Sequence, residues 1–71
     1  MDFTYPILCQ ELDRLGIPVS YLATALNITE DSVRSKLRGE SPWMLYEALN
    51  ICKMLNYDDI KLLFLQLDNN S

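Results

Sequence analysis

Three cations within five residues, Arg34, Lys36 and Arg38, are the densest concentration of chemistry in the chain. Arg34 and Arg38 are four apart, so on a helix they share a face. Such a pair can clamp phosphate, or take the O6 and N7 of a guanine in a DNA major groove. Ser32 and Ser35 stand among them with hydroxyls that can add hydrogen bonds. Lys36 projects elsewhere, where it either snorkels across the edge of the core or touches a flanking phosphate. Carboxylates oppose these groups. Glu30 and Asp31 precede them and Glu40 follows, so the segment 30–40 is neutral overall. A carboxylate at Glu30 can accept from the amino group of cytosine, but beside a phosphate it is repelled. Taken alone, a charge run of this kind is most often a solvated face.

No catalytic constellation competes with this cluster. The chain has no histidine, and therefore no side chain that ordinarily shuttles protons near neutrality. It shows no Gly-rich phosphate loop, nucleophile elbow or set of metal ligands, so neither an enzyme nor a cofactor is expected. Asp58 and Asp59 are adjacent and would point apart on a helix, the first of them serving as a cap. Cys9 and Cys52 lie far apart among apolar residues. They read as small core side chains in a reducing cytosol, with a disulfide as the lesser alternative.

The elements that must position the cations lie in residues 16–39. Val19, Leu22, Ala23 and Leu26 have the spacing of an apolar stripe on a short helix. Asn27 tolerates a left-handed turn, Ile28 is a core-type hydrophobe, and Thr29 is a good cap for a second helix. Glu30 and Asp31 suit the positive end of that helix, the cations suit its negative end, and Gly39 supplies the stop. Only Val33 and Leu37 are apolar along it, so it should rest on the core by one narrow ridge.

Two short helices joined by a tight turn, the second largely exposed, form a helix-turn-helix. The residues resemble the Cro/repressor type of that motif, the XRE family. The resemblance is carried by Gly16, Leu22, Ala23, Leu26, Asn27, Ile28, Thr29, Val33, Leu37 and Gly39, without gap or insertion. It implies an all-α, lambda-repressor-like domain of five short helices, with the helix-turn-helix core at 18–39 formed by helices two and three. It also implies double-stranded DNA as partner, with half-sites read by a two-fold homodimer. Arg34 and Arg38 would then contact DNA, supported by Ser32, Ser35 and Lys36, with Glu30 at the place where the family often carries a base-reading Gln. Pro18 and Val19 depart from the family, which has a capping hydroxyl and a phosphate-contacting Gln there. Ser20 and Tyr21, next to them, carry hydroxyls that could serve a phosphate instead, though the tyrosine could equally pack on the first helix.

The rest reads as scaffold. A first helix should run from about residue 4 or 5 to 15, with Pro6 in its first turn and Leu8, Leu12 and Leu15 inward. Ser41 and Pro42 read as the start of a fourth helix whose apolar face is Leu45, Ala48, Leu49, Cys52 and Leu55, with Ile51 beside them. Trp43 either packs against the end of helix three or offers its indole to phosphate. Asn56 should end this helix. A fifth, 59–67, carries more hydrophobes than one face can use. Part of it, Phe64 with Ile60 or Leu67, is expected to be exposed in the monomer as a dimer or partner interface. The polar tail 68–71 is expected to fray.

At 71 residues the chain has room for one domain, and 49% hydrophobic residues make a core without staples credible. No apolar run is long enough to span a bilayer, and the acidic start is unlike a signal peptide, so a cytoplasmic protein is expected. The net charge of −4 is unusual for a DNA-binding domain. Two readings therefore stand: a Cro/repressor-type regulator, for which the resemblance implies a phage or prophage origin, or the same fold turned to bind another transcriptional regulator, as an antirepressor does. An acidic surface suits the basic face of such a partner.

Overall fold

A computed structural model of the chain describes residues 4–66, and among these residues every regular element is an α-helix. Helices α1 (Pro6–Leu15), α2 (Val19–Leu26), α3 (Glu30–Leu37), α4 (Leu45–Leu55) and α5 (Ile60–Leu63) follow one another in the chain. Pro6 opens α1 where its missing N–H costs nothing. The core gathers Tyr5, Leu8 and Leu12, then Leu22, Ala23 and Leu26 from α2, and Val33 and Leu37 from α3. Ile51 and Leu55 from α4 and Leu63 from α5 complete it. Leu8, Leu22, Ile51 and Leu63 are fully buried, each contributing roughly 1.5–3 kcal/mol by removal from water.

The first four helices end in the same way. Gly16, Asn27, Gly39 and Asn56 all have positive φ. Beyond each, an N–H returns to a carbonyl five residues earlier: Ile17 to Leu12, Ile28 to Ala23, Glu40 to Ser35 and Tyr57 to Cys52, at 2.9–3.0 Å. These are Schellman motifs, which satisfy the last helical carbonyls and fold the next side chain back over the helix end. Ile17, Ile28 and Tyr57 accordingly pack on the core. This explains why Leu15, expected inward, is 43% exposed. Ile17, returned by the turn, packs at that end of α1 instead.

Helix α4 also departs from expectation. It starts at Leu45, not at Pro42, and Met44 is its N-cap in an extended conformation. The carboxylate of Glu47 accepts from the Met44 N–H at 2.9 Å, which fixes the first turn. The helix is rotated accordingly. Ala48, Ile51 and Leu55 face inward with Glu47, Cys52 is half-buried, and Leu45 and Leu49, expected in the core, are exposed.

Helix α5 is one turn, capped by Asp59 and not Asp58, with the Leu62 N–H donating to Asp59 Oδ1 at 3.1 Å. Phe64, expected to be exposed with Ile60 or Leu67, is half-buried instead, and so is Ile60. Phe64 stands edge-on to both Tyr5 and Trp43, with ring centroids 6.1 and 5.7 Å away, so the aromatic cluster takes it. Leu62 and Leu65 are the exposed large hydrophobic residues among those described in this segment. Leu67 and the tail 68–71 lie outside the described residues. No helix among the described residues is long and apolar enough to cross a membrane.

Candidate nucleic-acid interface

Helices α2 and α3 pack against each other across the turn at Asn27 and Ile28. Thr29 caps α3 through its Oγ1, which accepts from the Ser32 N–H at 3.1 Å and donates to Ser32 Oγ at 3.1 Å. Ser32, a candidate contact residue, is thereby half-buried and engaged in the cap. Acidic Glu30 and Asp31 occupy the first turn, where the helix dipole favours them.

Val33 and Leu37 alone fix α3 to the core as fully enclosed side chains. Arg34 and Arg38 stand outward, with about two-fifths of each side chain accessible. Neither guanidinium is bare. Arg34 pairs with Glu30 at 3.1 Å and reaches Asp31 at 3.5 Å. Arg38 meets both carboxylate oxygens of Glu40, Nε to Oε2 at 3.1 Å and Nη2 to Oε1 at 3.2 Å. Ser35, half-buried, donates to the same Glu40 at 3.4 Å. Exposed pairs of this kind are worth little, ~0–1 kcal/mol each, so a phosphate or a base edge can exchange with the carboxylate at small cost.

Lys36 takes the inward course. Its Nζ lies 3.1 Å from Glu47, donates to the Pro42 carbonyl at 3.0 Å, and sits 5.8 Å from the centre of the Trp43 ring. Trp43 packs on the core, and its indole N–H is buried without an acceptor among the described residues, so it is not offered to a phosphate. At the other edge of the motif, Ser20 and Tyr21 are both exposed on the first turn of α2, which Pro18 caps with extended backbone and no side-chain bond.

Two parts of the site were missed by sequence reasoning. Glu47 has no assigned role while the fourth helix is expected to start at Pro42, yet a Glu at the third position of a helix is itself a capping signal. Thr4 donates its N–H to the Leu37 carbonyl at 3.2 Å and its hydroxyl to the Arg38 carbonyl at 3.0 Å, closing the C-terminal end of α3. Nothing local in the sequence announces a bond across that separation.

Among the described residues no cluster of His, Cys, Asp or Glu could hold a metal ion. Cys9 and Cys52 are free thiols, and burial raises the pKa of both above the ordinary value, with Asp59 adding to the effect at Cys52. They are poor nucleophiles for that reason. Comparison with known protein families, with curated proteins and with solved structures finds no match.

Proposed function

We propose that the chain is a cytoplasmic, DNA-binding transcriptional regulator of the Cro/repressor type, with α2 and α3 as the helix-turn-helix of a lambda-repressor-like domain. One observation carries this reading. Among the described residues, helix α3 keeps only Val33 and Leu37 enclosed and leaves Arg34 and Arg38 outward, with about two-fifths of each side chain accessible.

In this reading α3 enters the major groove, and Arg34 and Arg38 exchange their carboxylates for a guanine edge or a phosphate. Ser35 and Glu30 flank the contact, and Glu30 accepts from a cytosine amino group. Ser20 and Tyr21 hold the backbone from α2. Lys36 serves from inside, by fixing the end of α3 to the start of α4.

A second reading rests on a different observation: both exposed guanidinium groups of α3 are already matched by carboxylates, which leaves a face that is neutral and not basic. A face of that kind can also dock on another regulator. Fluorescence anisotropy on operator-like and random duplexes, at low and moderate salt, separates the two. Sequence preference with a falling affinity as salt rises supports the first reading, and no binding at any salt overturns it. The double variant Arg34→Ala/Arg38→Ala should lose DNA binding at least a hundredfold while its helical circular dichroism stays intact. Retained affinity would place the contact on another face.

A further inference from the structure

Tyr5, Trp43 and Phe64 come from three separate stretches of the chain and line one open cavity of about 570 Å³, within the roughly 300–1,000 Å³ of small-molecule sites. Their rings stand almost at right angles, pair by pair. Tyr5 meets Trp43 at 73° and Phe64 at 71°, and Trp43 meets Phe64 at 70°, with centroids 6.4, 6.1 and 5.7 Å apart. Three rings so related make the walls of a corner. A point facing all three from inside it lies roughly 4–4.5 Å from each centre, within the ~6 Å over which a cation is drawn to an aromatic face. We infer that this corner takes the trimethylammonium group of a small organic cation.

Charge is the first reason for that choice. Among the described residues Glu40 is the one carboxylate lining the cavity and no Lys or Arg lines it, while the chain as a whole carries −4. An anion is disfavoured there. Glu40 shares its carboxylate with Arg38, so the rings supply most of the recognition and the carboxylate adds a weaker, water-screened pull. Lys36 stands 5.8 Å from the centre of the Trp43 ring, but Glu47 and the Pro42 carbonyl hold it and it does not line the cavity. The nearest ammonium of the chain itself is therefore engaged elsewhere.

Hydrogen bonding narrows the class further. A primary ammonium brings three N–H groups that need acceptors, and the ring faces, with the side chains of Pro42, Leu45 and Ile60 around them, offer none. A trimethylammonium group has no N–H to satisfy, and its methyls suit apolar walls. A phosphocholine headgroup would add a phosphate for which the lining holds no cation, so the ligand is a free small molecule and not a membrane surface.

Trp43, the single tryptophan of the chain, forms one wall and so reports on occupancy. Titrating the full chain with choline should change its fluorescence saturably; DNA is left out, so the result is independent of the DNA-binding reading. The neutral isostere 3,3-dimethylbutan-1-ol has the same shape without the charge and should bind about tenfold more weakly. Phe64→Leu keeps apolar bulk but removes one ring, and should weaken choline about fivefold. Tyr5→Phe keeps its ring, and Tyr46→Leu removes an exposed ring outside the cavity, so each should leave affinity within about twofold. Nuclear Overhauser effects from the choline methyls to Trp43 and Phe64 in the wild type locate the cation whatever the stability of any variant. Phosphatidylcholine vesicles should not retain the chain. The inference is overturned by no saturable response to choline, by equal affinity for the neutral isostere, or by methyls that show no effect to either ring. Indifference of a folded Phe64→Leu, a loss at Tyr5→Phe or Tyr46→Leu, or retention on the vesicles would overturn it equally.

Discussion

Glu47 shows how a charged group can be kept inside so small a domain. It is 2% exposed, and its Oε1 lies 3.1 Å from Lys36 Nζ and accepts from the Met44 N–H at 2.9 Å, so its charge is matched. Lys36 in turn spans from α3 to the linker carbonyl of Pro42. Removing one partner leaves the other buried and uncompensated, which is far more costly than removing both. Lys36→Ala should therefore lower the unfolding free energy by about 3 kcal/mol, a large share of what a domain of this size holds. Lys36→Met/Glu47→Leu should recover most of it, as read by urea denaturation; equal losses in both variants would mean that packing, not charge, is lost. The enclosed thiols and Tyr5 give a second effect at this scale. Burial raises the pKa of Cys9, Cys52 and Tyr5 above their ordinary values, 9.0 for the thiols and 10.0 for the phenol. The native chain then holds protons that the unfolded chain gives up, so stability is complete below pH 9.0 and declines as pH rises above it. Urea midpoints at stepped pH should fall from about pH 9 upward. In Cys9→Ala/Cys52→Ala the fall should begin only near 10, where Tyr5 takes over; an onset unchanged by the double substitution would remove the thiols as its cause.

At the scale of the element, the motif depends on how its helices are ended as much as on what they bury. Gly39 turns the chain at φ +79°, and a Cβ there would lie 2.8 Å from the Thr4 hydroxyl that closes α3. Gly39→Ala thus meets both a backbone penalty of roughly 1 kcal/mol and a clash with the closing residue. Thr29→Ala should cost about 1 kcal/mol by leaving the Ser32 N–H without its cap. Thermal melts of the two variants should rank Gly39→Ala as the less stable; the reverse order would mean that Thr4 yields freely. These terminators are also why the first three helices were legible in the sequence, since Gly16, Asn27, Thr29 and Gly39 act through their own backbone and immediate neighbours. The later helices were not, because distant partners decide them. Ser41 and Pro42 form a sound local start signal, but Lys36 engages the Pro42 carbonyl and Glu47 takes the Met44 N–H, so the helix starts three residues later and α4 turns a different face inward. Phe64 likewise reads as surplus in the apolar run of the last helix, because Tyr5 and Trp43, which close around it, come from distant parts of the chain. The outward guanidinium pair was legible from its spacing of four, whereas the carboxylates that neutralise it depend on side-chain reach.

For the molecule as a whole, the sparse supply of cations sets a limit that the DNA-binding reading must respect. The chain has six basic residues. Arg14 is on α1 beside Glu11, Lys36 is turned inward to Glu47, and Lys53 and Lys61 lie on α4 and α5, outside the pair α2 and α3. That leaves Arg34 and Arg38, or four guanidinium groups in a dimer, as the counterion-releasing contacts. With a slope near −0.9 per phosphate neutralised, log affinity against log salt should be no steeper than about −4. It should be shallower still to the extent that Glu30 and Glu40 already neutralise the arginines before DNA arrives. Affinity must then come from base-edge bonds and from pairing two recognition helices, not from a general attraction to the duplex, so binding to random sequence should be weak. Glu40→Gln separates these contributions, because it removes one carboxylate charge that meets Arg38 without touching α3's anchors. It should raise affinity for random and operator-like duplexes alike and steepen the salt slope by up to about one per subunit. A gain confined to one sequence would instead mark Glu40 as reading the site, and no change in slope would show that Arg38 does not meet phosphate.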